Sequence, residues 1–324
     1  MQMSEKLKHI TCDVAIIGAG PAGLSAATAL KKEGIERVIV IDRETEGGGI
    51  PRHCGHPPFG ILEYKRILTG PLYARRNVKT ALSSGVELML KTTVISLGAE
   101  GKLSLLSPDG PIELVAKRVL IATGTRETPR SARMVSGNRP LGICNTGALQ
   151  SMVYLKNRIP FKQPVIVGSE IVSFSALFTC KKAGIKPVAM LEEKAGTSVM
   201  WPIKYVLNII GVPLFLNTKI TNIAGKDRVQ SVTVVDKNGK EREIVCDGVL
   251  FTGKFIPESS LMRMSHLEID QNIGMPRVDR YGRCSDPSYY VAGNIVFNPV
   301  KVAGKCWKSG QIAAQRIAKD LANQ

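Results

Sequence analysis

The chain has 324 residues, of which 44% are hydrophobic and 22% are charged, a balance typical of a globular enzyme and not of a disordered or fibrous protein. No apolar run approaches the length of a membrane span, and residues 1–9 are polar, so we expect neither a transmembrane helix nor a signal peptide. The formal net charge of +17 leaves three interpretations open: a basic surface without a partner, a docking face for an acidic partner, and nucleic-acid binding. The aromatic content of only 5% and the lack of a recognisable nucleic-acid-binding motif argue against the last.

The seven cysteines are scattered along the chain and form no Cys-x-x-Cys pair. This spacing predicts neither a metal site nor a redox-active dithiol. Because isolated cysteines are typical of a reducing compartment, we expect a cytoplasmic protein.

A glycine-rich turn near the start of the chain is the strongest local signal. A short apolar strand predicted at residues 14–17 runs into Gly18, Gly20 and Gly23, and a helix follows. In a turn of this spacing the glycines permit a tight bend, the close approach of a pyrophosphate and close packing of helix on strand. Asp42 ends the next predicted strand, where a carboxylate can bind an adenosine ribose. The pattern predicts a dinucleotide site, and the alternative is a glycine turn without a ligand.

The same pattern recurs in the second half of the chain. Without a gap, Gly168 aligns with Gly18 and Glu192 with Asp42, although the middle glycine of the second turn is replaced by Glu170. Internal duplication of a nucleotide-binding unit is the strongest architectural signal in the sequence.

The duplication predicts an α/β protein with two dinucleotide-binding domains of Rossmann-like, three-layer architecture. We expect the second domain to be inserted in the first, and each to carry a small β-meander. The predicted boundaries are 1–145 and 263–324 for the first domain and 146–262 for the second.

Two glycine-turn units with a terminal Gly293–Asn294 turn resemble the two-domain flavoproteins of the pyridine-nucleotide disulfide oxidoreductase family. The resemblance covers nearly the whole chain. It implies that the first domain binds FAD and that the second corresponds to the NAD(P)H domain. The FAD-binding residues that it implies are Gly18, Gly20, Pro21, Ala22, Gly23, Asp42, Arg43, Gly49, Ile50, Val94, Ala122, Thr123, Gly124, Gly293 and Asn294.

Two departures from the family pattern affect the expected chemistry. Cys54 and Cys144 each stand alone where disulfide reductases of the family have a pair, so we do not expect disulfide reduction. Glu170 would crowd and repel a pyrophosphate, which makes NAD(P) binding doubtful. The alternative is that the Glu170 side chain turns away and the second site binds its nucleotide.

Within the family, residues 48–60 resemble the FAD-binding α subunit of bacterial amine and amino-acid dehydrogenases, such as opine oxidases, hydrogen cyanide synthase and hydroxyproline dehydrogenases. This resemblance implies an electron-transfer subunit that works with a second flavoprotein subunit and a small iron–sulfur protein. The candidate catalytic residues in this segment, as proton donors or flavin tuners, are Arg52, His53, Cys54 and His56.

Three alternatives to these expectations stay open. The segment that holds the candidate catalytic residues could be a purely structural loop. The whole chain could be a self-contained NAD(P)H-dependent flavin oxidoreductase, or a scaffold that binds FAD for assembly and not for turnover.

Overall fold

The structure is a computed structural model that describes residues 7–197, 211–296 and 301–323. Its internal contacts divide the chain into two units. Unit 1 comprises Met1–Arg52, Pro57–Arg126 and Ile256–Gln324, and unit 2 comprises His53–His56 and Glu127–Phe255. The second unit is therefore inserted in the first, as the sequence predicts.

Strands and helices alternate in both units. The strands are β1 (Lys8–Ile17), β2 (Val38–Ile41), β3 (Glu87–Met89), β4 (Thr93–Leu97), β5 (Lys102–Ser107), β6 (Gly110–Ile121), β7 (Thr125–Glu127), β8 (Ser136–Gly137), β9 (Ile143–Asn145), β10 (Pro164–Val167), β11 (Ala189–Leu191), β12 (Leu214–Phe215), β13 (Lys219–Ala224), β14 (Ser231–Val235), β15 (Glu241–Val245), β16 (Gly248–Phe251), β17 (Phe255–Pro257) and β18 (Tyr289–Val291). The α-helices are α1 (Pro21–Lys32), α2 (Ile61–Tyr64), α3 (Gly70–Ser83), α4 (Thr146–Gln150), α5 (Ile171–Lys182), α6 (Ser260–Arg263) and α7 (Ala303–Ala322). Within the described ranges, no helix combines the length and the apolar composition that crossing a membrane requires.

The sheet of unit 1 has the order β3-β2-β1-β6-β5-β4, and β18 also pairs with β6. Its nucleotide-binding half is parallel, whereas β4, β5 and β6 form the antiparallel meander. Ile17 lies in register with Ile41 on one side and with Ile121 on the other, and Val291 is in register with Ile121. Four strands therefore end at one edge of the sheet, and the turns that follow them meet there.

Apolar side chains of the parallel strands fill a core on each face of this sheet. Ile16 packs on one face with Leu24 of α1 and Ile317 of α7. Ile17 points to the other face and packs in the cluster that contains Leu103 of the meander. Because both faces are covered, the strands are continuous apolar runs and not alternating ones.

Unit 2 repeats this plan with a parallel sheet of order β12-β11-β10-β16-β9. Val167 is in register with Leu191 and with Phe251, so the second glycine turn also lies at a common edge. A separate sheet of order β15-β14-β13-β8 contains the second antiparallel meander. The predicted fold class of two Rossmann-like domains, each with a meander, is confirmed.

The unit boundaries lie at residues 126/127 and 255/256, whereas the sequence analysis places them at 145/146 and 262/263. Residues 127–145 belong with unit 2 because β9 pairs with β16 and the Glu127 carboxylate accepts a hydrogen bond from Gly253 N at 3.0 Å. The segment that begins at Ile256 belongs with unit 1, since Glu258 N donates to the carbonyl oxygen of Gly124 at 3.0 Å. These boundaries depend on contacts between residues far apart in the chain.

Asp320 anchors the last helix, α7, to the sheet of unit 1. Its carboxylate accepts hydrogen bonds from the Tyr290 hydroxyl at 2.6 Å, from Arg118 Nε at 3.3 Å and from Arg283 Nη2 at 3.4 Å. Burial alone would raise the pKa of Asp320, but the Tyr290 hydrogen bond and the charges of Arg283 and Arg118 outweigh it and lower this pKa below its usual value.

We expect Asp320→Asn to lower the thermal unfolding midpoint by about 2–6 °C at pH 7, because the cations lose their carboxylate. Folding lowers the pKa of Asp320. The stabilisation is therefore complete above the pKa of the unfolded chain, about 4, and is lost as the pH falls through the pKa of the folded chain. The difference between wild type and variant should therefore shrink below about pH 4. Thermal melts across pH measure it, with the exposed Asp109→Asn as control. A difference that stays constant down to pH 3 would contradict this assignment.

Candidate functional site

The glycine turn of unit 1 leaves free space at the position predicted for a pyrophosphate. A Cβ atom on Gly18, whose φ is +109°, would lie 2.6 Å from the carbonyl oxygen of Ala122, and one on Gly23 would lie 1.9 Å from that of Gly18. A Cβ atom on Gly20 would meet none of the described atoms within 4 Å. Gly18 and Gly23 are thus required by the packing of the chain itself. Gly20 instead opens on free space beside the N-terminus of α1, where unpaired N–H groups favour a diphosphate.

A loop of the segment that is unique to the first copy lies against this turn. Gly48 N donates to the carbonyl oxygen of Ala19 at 2.7 Å, and a Cβ atom on Gly49 would lie 2.8 Å from Gly20 Cα. Both Gly48 and Gly49 have positive φ, which side chains rarely adopt. The loop continues into the exposed Ile50, so the two predicted cofactor residues Gly49 and Ile50 border the glycine turn.

Two further turns of unit 1 supply predicted FAD-binding residues at the same sheet edge. Ala122, Thr123 and Gly124 follow β6, and a Cβ atom on Gly293 would lie 2.8 Å from the Cβ of Ala22. Asn294 Oδ1 is buried and accepts no hydrogen bond from the described residues. Because a buried acceptor without a donor is costly, this oxygen suits a ligand hydroxyl or N–H group.

Asp42 is oriented by the backbone at the end of β2. Its carboxylate accepts hydrogen bonds from Ala19 N at 2.7 Å and Glu44 N at 2.9 Å. Each carboxylate oxygen can accept more than one hydrogen bond, so both keep capacity for ribose hydroxyls. Its neighbour Arg43 is exposed, whereas Val94 in β4 packs against the unit 1 core. All the residues predicted to bind FAD lie in unit 1, and the open turn and the buried Asn294 oxygen fit the cofactor.

In unit 2 the residue at the position of Gly20 is Glu170, and its carboxylate and that of Glu127 contact the turn that follows β16. Lys254 N donates to Glu170 Oε2 at 3.1 Å, and Gly253 N donates to Glu127 Oε1 at 3.0 Å. A Cβ atom on Gly253 would lie 1.1 Å from Glu170 Oε2, so the Glu170 carboxylate rests directly on this glycine. The Glu170 carboxylate is thus bound at the turn that follows β16.

The buried Glu127 and the half-buried Arg133 both hydrogen-bond to the turn that follows β16. Arg133 donates to the carbonyl oxygens of Thr252 and Gly253, both at 2.8 Å. Burial raises the pKa of Glu127, while its hydrogen bonds from backbone N–H groups and the charge of Arg133 oppose the rise. The donors of Gly253 and Lys254 and the acceptors of Thr252 and Gly253 are thus satisfied within unit 2.

Cys54 and His56 belong to a chain of hydrogen bonds in unit 2. Cys54 Sγ lies 3.5 Å from Gln150 Oε1, Gln150 Nε2 donates to Ser175 Oγ at 2.7 Å, and Ser175 Oγ lies 2.6 Å from His56 Nε2. The His56 ring also stacks on Phe178 with a centroid distance of 5.7 Å. Ser175 Oγ thus contacts both Gln150 and His56, and the tautomer of the His56 ring decides which atom donates in the second contact.

The four candidate catalytic residues do not form one cluster within a single unit. His53, Cys54 and His56 lie in unit 2, whereas Arg52 lies in unit 1. Arg52 Nη1 donates to the carbonyl oxygen of Glu46 at 2.7 Å, and its guanidinium lies within 4 Å of the Glu44 and Glu46 carboxylates, so it braces its own loop. Burial raises the pKa of Cys54 to about 12. Cys54 is thus a thiol at neutral pH, and the exposed thiolate that redox activity would need is not formed.

The sequence analysis does not identify Gln150, Glu127 or Arg133, because none belongs to a local motif. Ser175 could have been identified from the sequence, because it aligns with Ser25 in the internal repeat. Ser25 Oγ donates to the carbonyl oxygen of Trp307 in α7 at 2.6 Å. The same position of the repeat thus binds a different element in each unit.

We expect Gly20→Val to reduce the FAD retained by the purified protein by about ten-fold or more, because the side chain would fill the space left for the diphosphate. The FAD-free protein should keep its thermal midpoint, since nothing described lies within 4 Å of the added Cβ. Flavin released on denaturation, measured by absorbance, checks the loss. Gly196→Val, at another open glycine, is the matched control. Unchanged FAD content in Gly20→Val would refute this assignment.

Comparison with known proteins agrees with this geometry. Among curated relatives, the ferredoxin–NAD(+) reductase component of the benzene 1,2-dioxygenase system of Pseudomonas putida is 26% identical over 327 residues, covering 95% of this chain and 73% of that protein. One of the subunits of the opine oxidase of Rhizobium meliloti (strain 1021) is 25% identical over 194 residues, which cover 60% of this chain but only 41% of that protein.

Solved structures share the fold at lower identity. Thioredoxin reductase from T. acidophilum superposes with a TM-score of 0.79 at 23% identity, covering 96% of this chain and 99% of that one. L-proline dehydrogenase from P. horikoshii superposes with a TM-score of 0.73 at 20% identity, covering 98% of this chain and 57% of that one.

The family model for pyridine nucleotide-disulphide oxidoreductases matches residues 12–314, which include the glycine turns of both units. The chain therefore belongs to the pyridine nucleotide-disulphide oxidoreductase family, whose members are oxidoreductases that bind FAD and use NAD(P)H.

Proposed function

We propose that this chain is the FAD-dependent electron-transfer α subunit of a multi-subunit amine or amino-acid dehydrogenase, of the opine or hydroxyproline type. The observation that carries the proposal is the contrast between the two nucleotide turns. Unit 1 leaves space for a diphosphate at Gly20, whereas in unit 2 the equivalent residue is Glu170, whose carboxylate lies against Gly253 in the turn that follows β16.

FAD, when bound, accepts and passes on electrons in pairs or singly. The protein would hold it: the space at Gly20 and the N-terminus of α1 would receive the diphosphate, Asp42 would accept from the ribose, and Asn294 Oδ1 would accept from the cofactor. These residues orient the cofactor without taking part in bond making.

The usual electron donor of the family would meet repulsion at unit 2. Glu170 places a carboxylate at the turn that follows β16, and a nucleotide diphosphate would add further negative charge there. Burial raises the pKa of the Cys54 and Cys144 thiols to about 12, which disfavours the thiolate that electron transfer through either thiol would need. We therefore infer that electrons enter and leave through protein partners.

The partners that we propose are a second flavoprotein subunit, which oxidises the amine, and a small iron–sulfur protein, which carries electrons onward. The partial match to the opine oxidase of Rhizobium meliloti supports this interpretation, since the matched relative is itself named as one of the subunits of that oxidase. Within the candidate loop, Ser175 Oγ lies 2.6 Å from His56 Nε2 and positions the His56 ring.

A second candidate function is a self-contained NAD(P)H-dependent flavin oxidoreductase. One observation favours it: Glu192 holds the same place in unit 2 that Asp42 holds in unit 1. Its carboxylate accepts from Ser169 N at 3.1 Å and Lys194 N at 3.0 Å, so a ribose-binding acid is retained. The match over 95% of the chain to a ferredoxin–NAD(+) reductase is consistent with this alternative.

Glu170→Gly should create or strengthen NADH binding by at least about ten-fold, because it removes the carboxylate from Gly253 and restores a glycine to the turn. Calorimetric titration with NADH measures the change. Glu193→Gln is the matched control, since it removes a nearby charge that pairs with Lys254 and leaves the turn unchanged. Micromolar NADH binding by the wild-type chain would overturn the proposal and favour the second candidate.

The FAD-loaded chain alone should show little dye-linked activity on opines, proline or 4-hydroxyproline. Addition of a co-expressed second flavoprotein and an iron–sulfur protein should raise the activity by at least about ten-fold, and rising salt should reduce the gain, because exposed charges are screened beyond about 10 Å at 0.1 M ionic strength. Steady-state assays of the chain alone and of the mixture measure this gain. Full amine-dependent turnover by the lone chain would rule out the subunit role.

A further inference from the structure

A groove of about 470 Å³ runs along α7 in unit 1 and is strongly basic. Its cationic side chains come from α7 and from the segment before β18: Arg280, Lys305, Lys308 and Arg316. Among the described residues, none of these four cations forms an ion pair. The groove therefore presents positive charge that the described part of the chain does not neutralise.

Among the described residues that line the groove, the one acidic residue is Asp279, and its carboxylate already contacts its own turn. Asp279 accepts hydrogen bonds from Tyr281 N at 2.7 Å and Arg283 N at 3.0 Å, and its carboxylate lies 4.0 Å from the Arg283 guanidinium. It closes its own turn and does not reach across the groove to the four cations. The excess positive charge is thus built into the groove.

Two of the cations are held in place by one aromatic ring. The guanidinium carbons of Arg280 and Arg316 lie 4.7 Å and 4.2 Å from the centroid of the Tyr281 ring. Both guanidinium groups are thus within cation–π distance of this ring. An arriving carboxylate could accept two parallel hydrogen bonds from one guanidinium.

Between the cations the groove exposes apolar side chains. Ile312 is 48% exposed and Val278 is 38% exposed. An apolar centre with a charged rim is typical of a surface that contacts another protein. A site for a small molecule would instead enclose its ligand and bury most of it.

The position of the groove relative to the FAD turn fits an electron-transfer partner. Lys305, Lys308, Ile312 and Arg316 lie on one stripe of α7. Ser309, beside that stripe, accepts a hydrogen bond from Gly293 N at 3.0 Å, so the same helix holds one of the cofactor turns. A helix with its side chains is only about 10–12 Å thick. A protein seated in the groove would therefore lie close to the FAD-binding edge.

We propose that this groove is the docking site for an acidic partner protein, whose carboxylates contact the four cations and whose apolar side chains cover Ile312. The net charge of +17 suits long-range attraction of such a partner. The proposal rests on the proposed function for the role of that partner in electron transfer. Docking itself is a separate property and is measured without turnover.

The test uses the FAD-loaded full chain and a fluorescein-labelled, glutamate-rich peptide as the probe. A variant with glutamine in place of Arg280, Lys305, Lys308 and Arg316 should bind the peptide at least about ten-fold more weakly at low ionic strength. A control variant with glutamine in place of Lys79, Lys102, Lys237 and Lys240, all exposed, loses the same charge elsewhere. It should change the affinity by no more than about two-fold. Fluorescence anisotropy measures both.

Equal loss in the two four-site variants would overturn the proposal, because it would show attraction to the net charge alone. Failure of the wild-type chain to bind the peptide would overturn it as well. Tighter binding of duplex DNA or of anionic lipid vesicles than of the peptide, lost only in the groove variant, would assign the groove to another class of partner. Since neither variant alters the residues that hold FAD, unchanged flavin content separates failure of docking from failure of the proposed function.

Discussion

The structure depends on a shared register of parallel strands. Ile17 pairs with Ile41 and with Ile121, so three strands of unit 1 end at the same level, and β18 ends beside them. This register brings together turns that are up to 275 residues apart in the chain, from Gly18 to Gly293. A slip of one strand would separate the open turn at Gly20 from the Asn294 oxygen and would also turn apolar side chains away from their core.

The two units show how a duplicated fold keeps some interactions and replaces others. Asp42 and Glu192 accept equivalent backbone hydrogen bonds, from Ala19 N in one unit and Ser169 N in the other. That bond supports the turn with or without a ligand, and it is kept in both units. Packing does not require a glycine at position 20, since a Cβ atom there would meet open space. At this position the two units differ.

The fold could be predicted from the sequence because its determinants are local. Buried strands are continuous apolar runs, and Gly18 and Gly23 meet steric demands that only glycine satisfies. The position of the Glu170 carboxylate and the true unit boundary could not be predicted. Both depend on the pairing of side chains with Gly253 and Lys254, about 80 to 130 residues away, and no pattern around Glu127 or Glu170 indicates those partners.

The Glu170 carboxylate has a consequence for how the two units respond to supply of cofactor. A tethered anion cannot diffuse away, so its effective concentration at Gly253 does not vary with conditions in the cell. A diffusible ligand stabilises a fold only in proportion to the logarithm of its concentration. Scarcity of FAD would therefore weaken unit 1 and leave the turn of unit 2 unaffected. The Glu170 contact in unit 2 can form at any time after synthesis, because it needs no cofactor. Unit 1 reaches its full stability only when the cofactor binds.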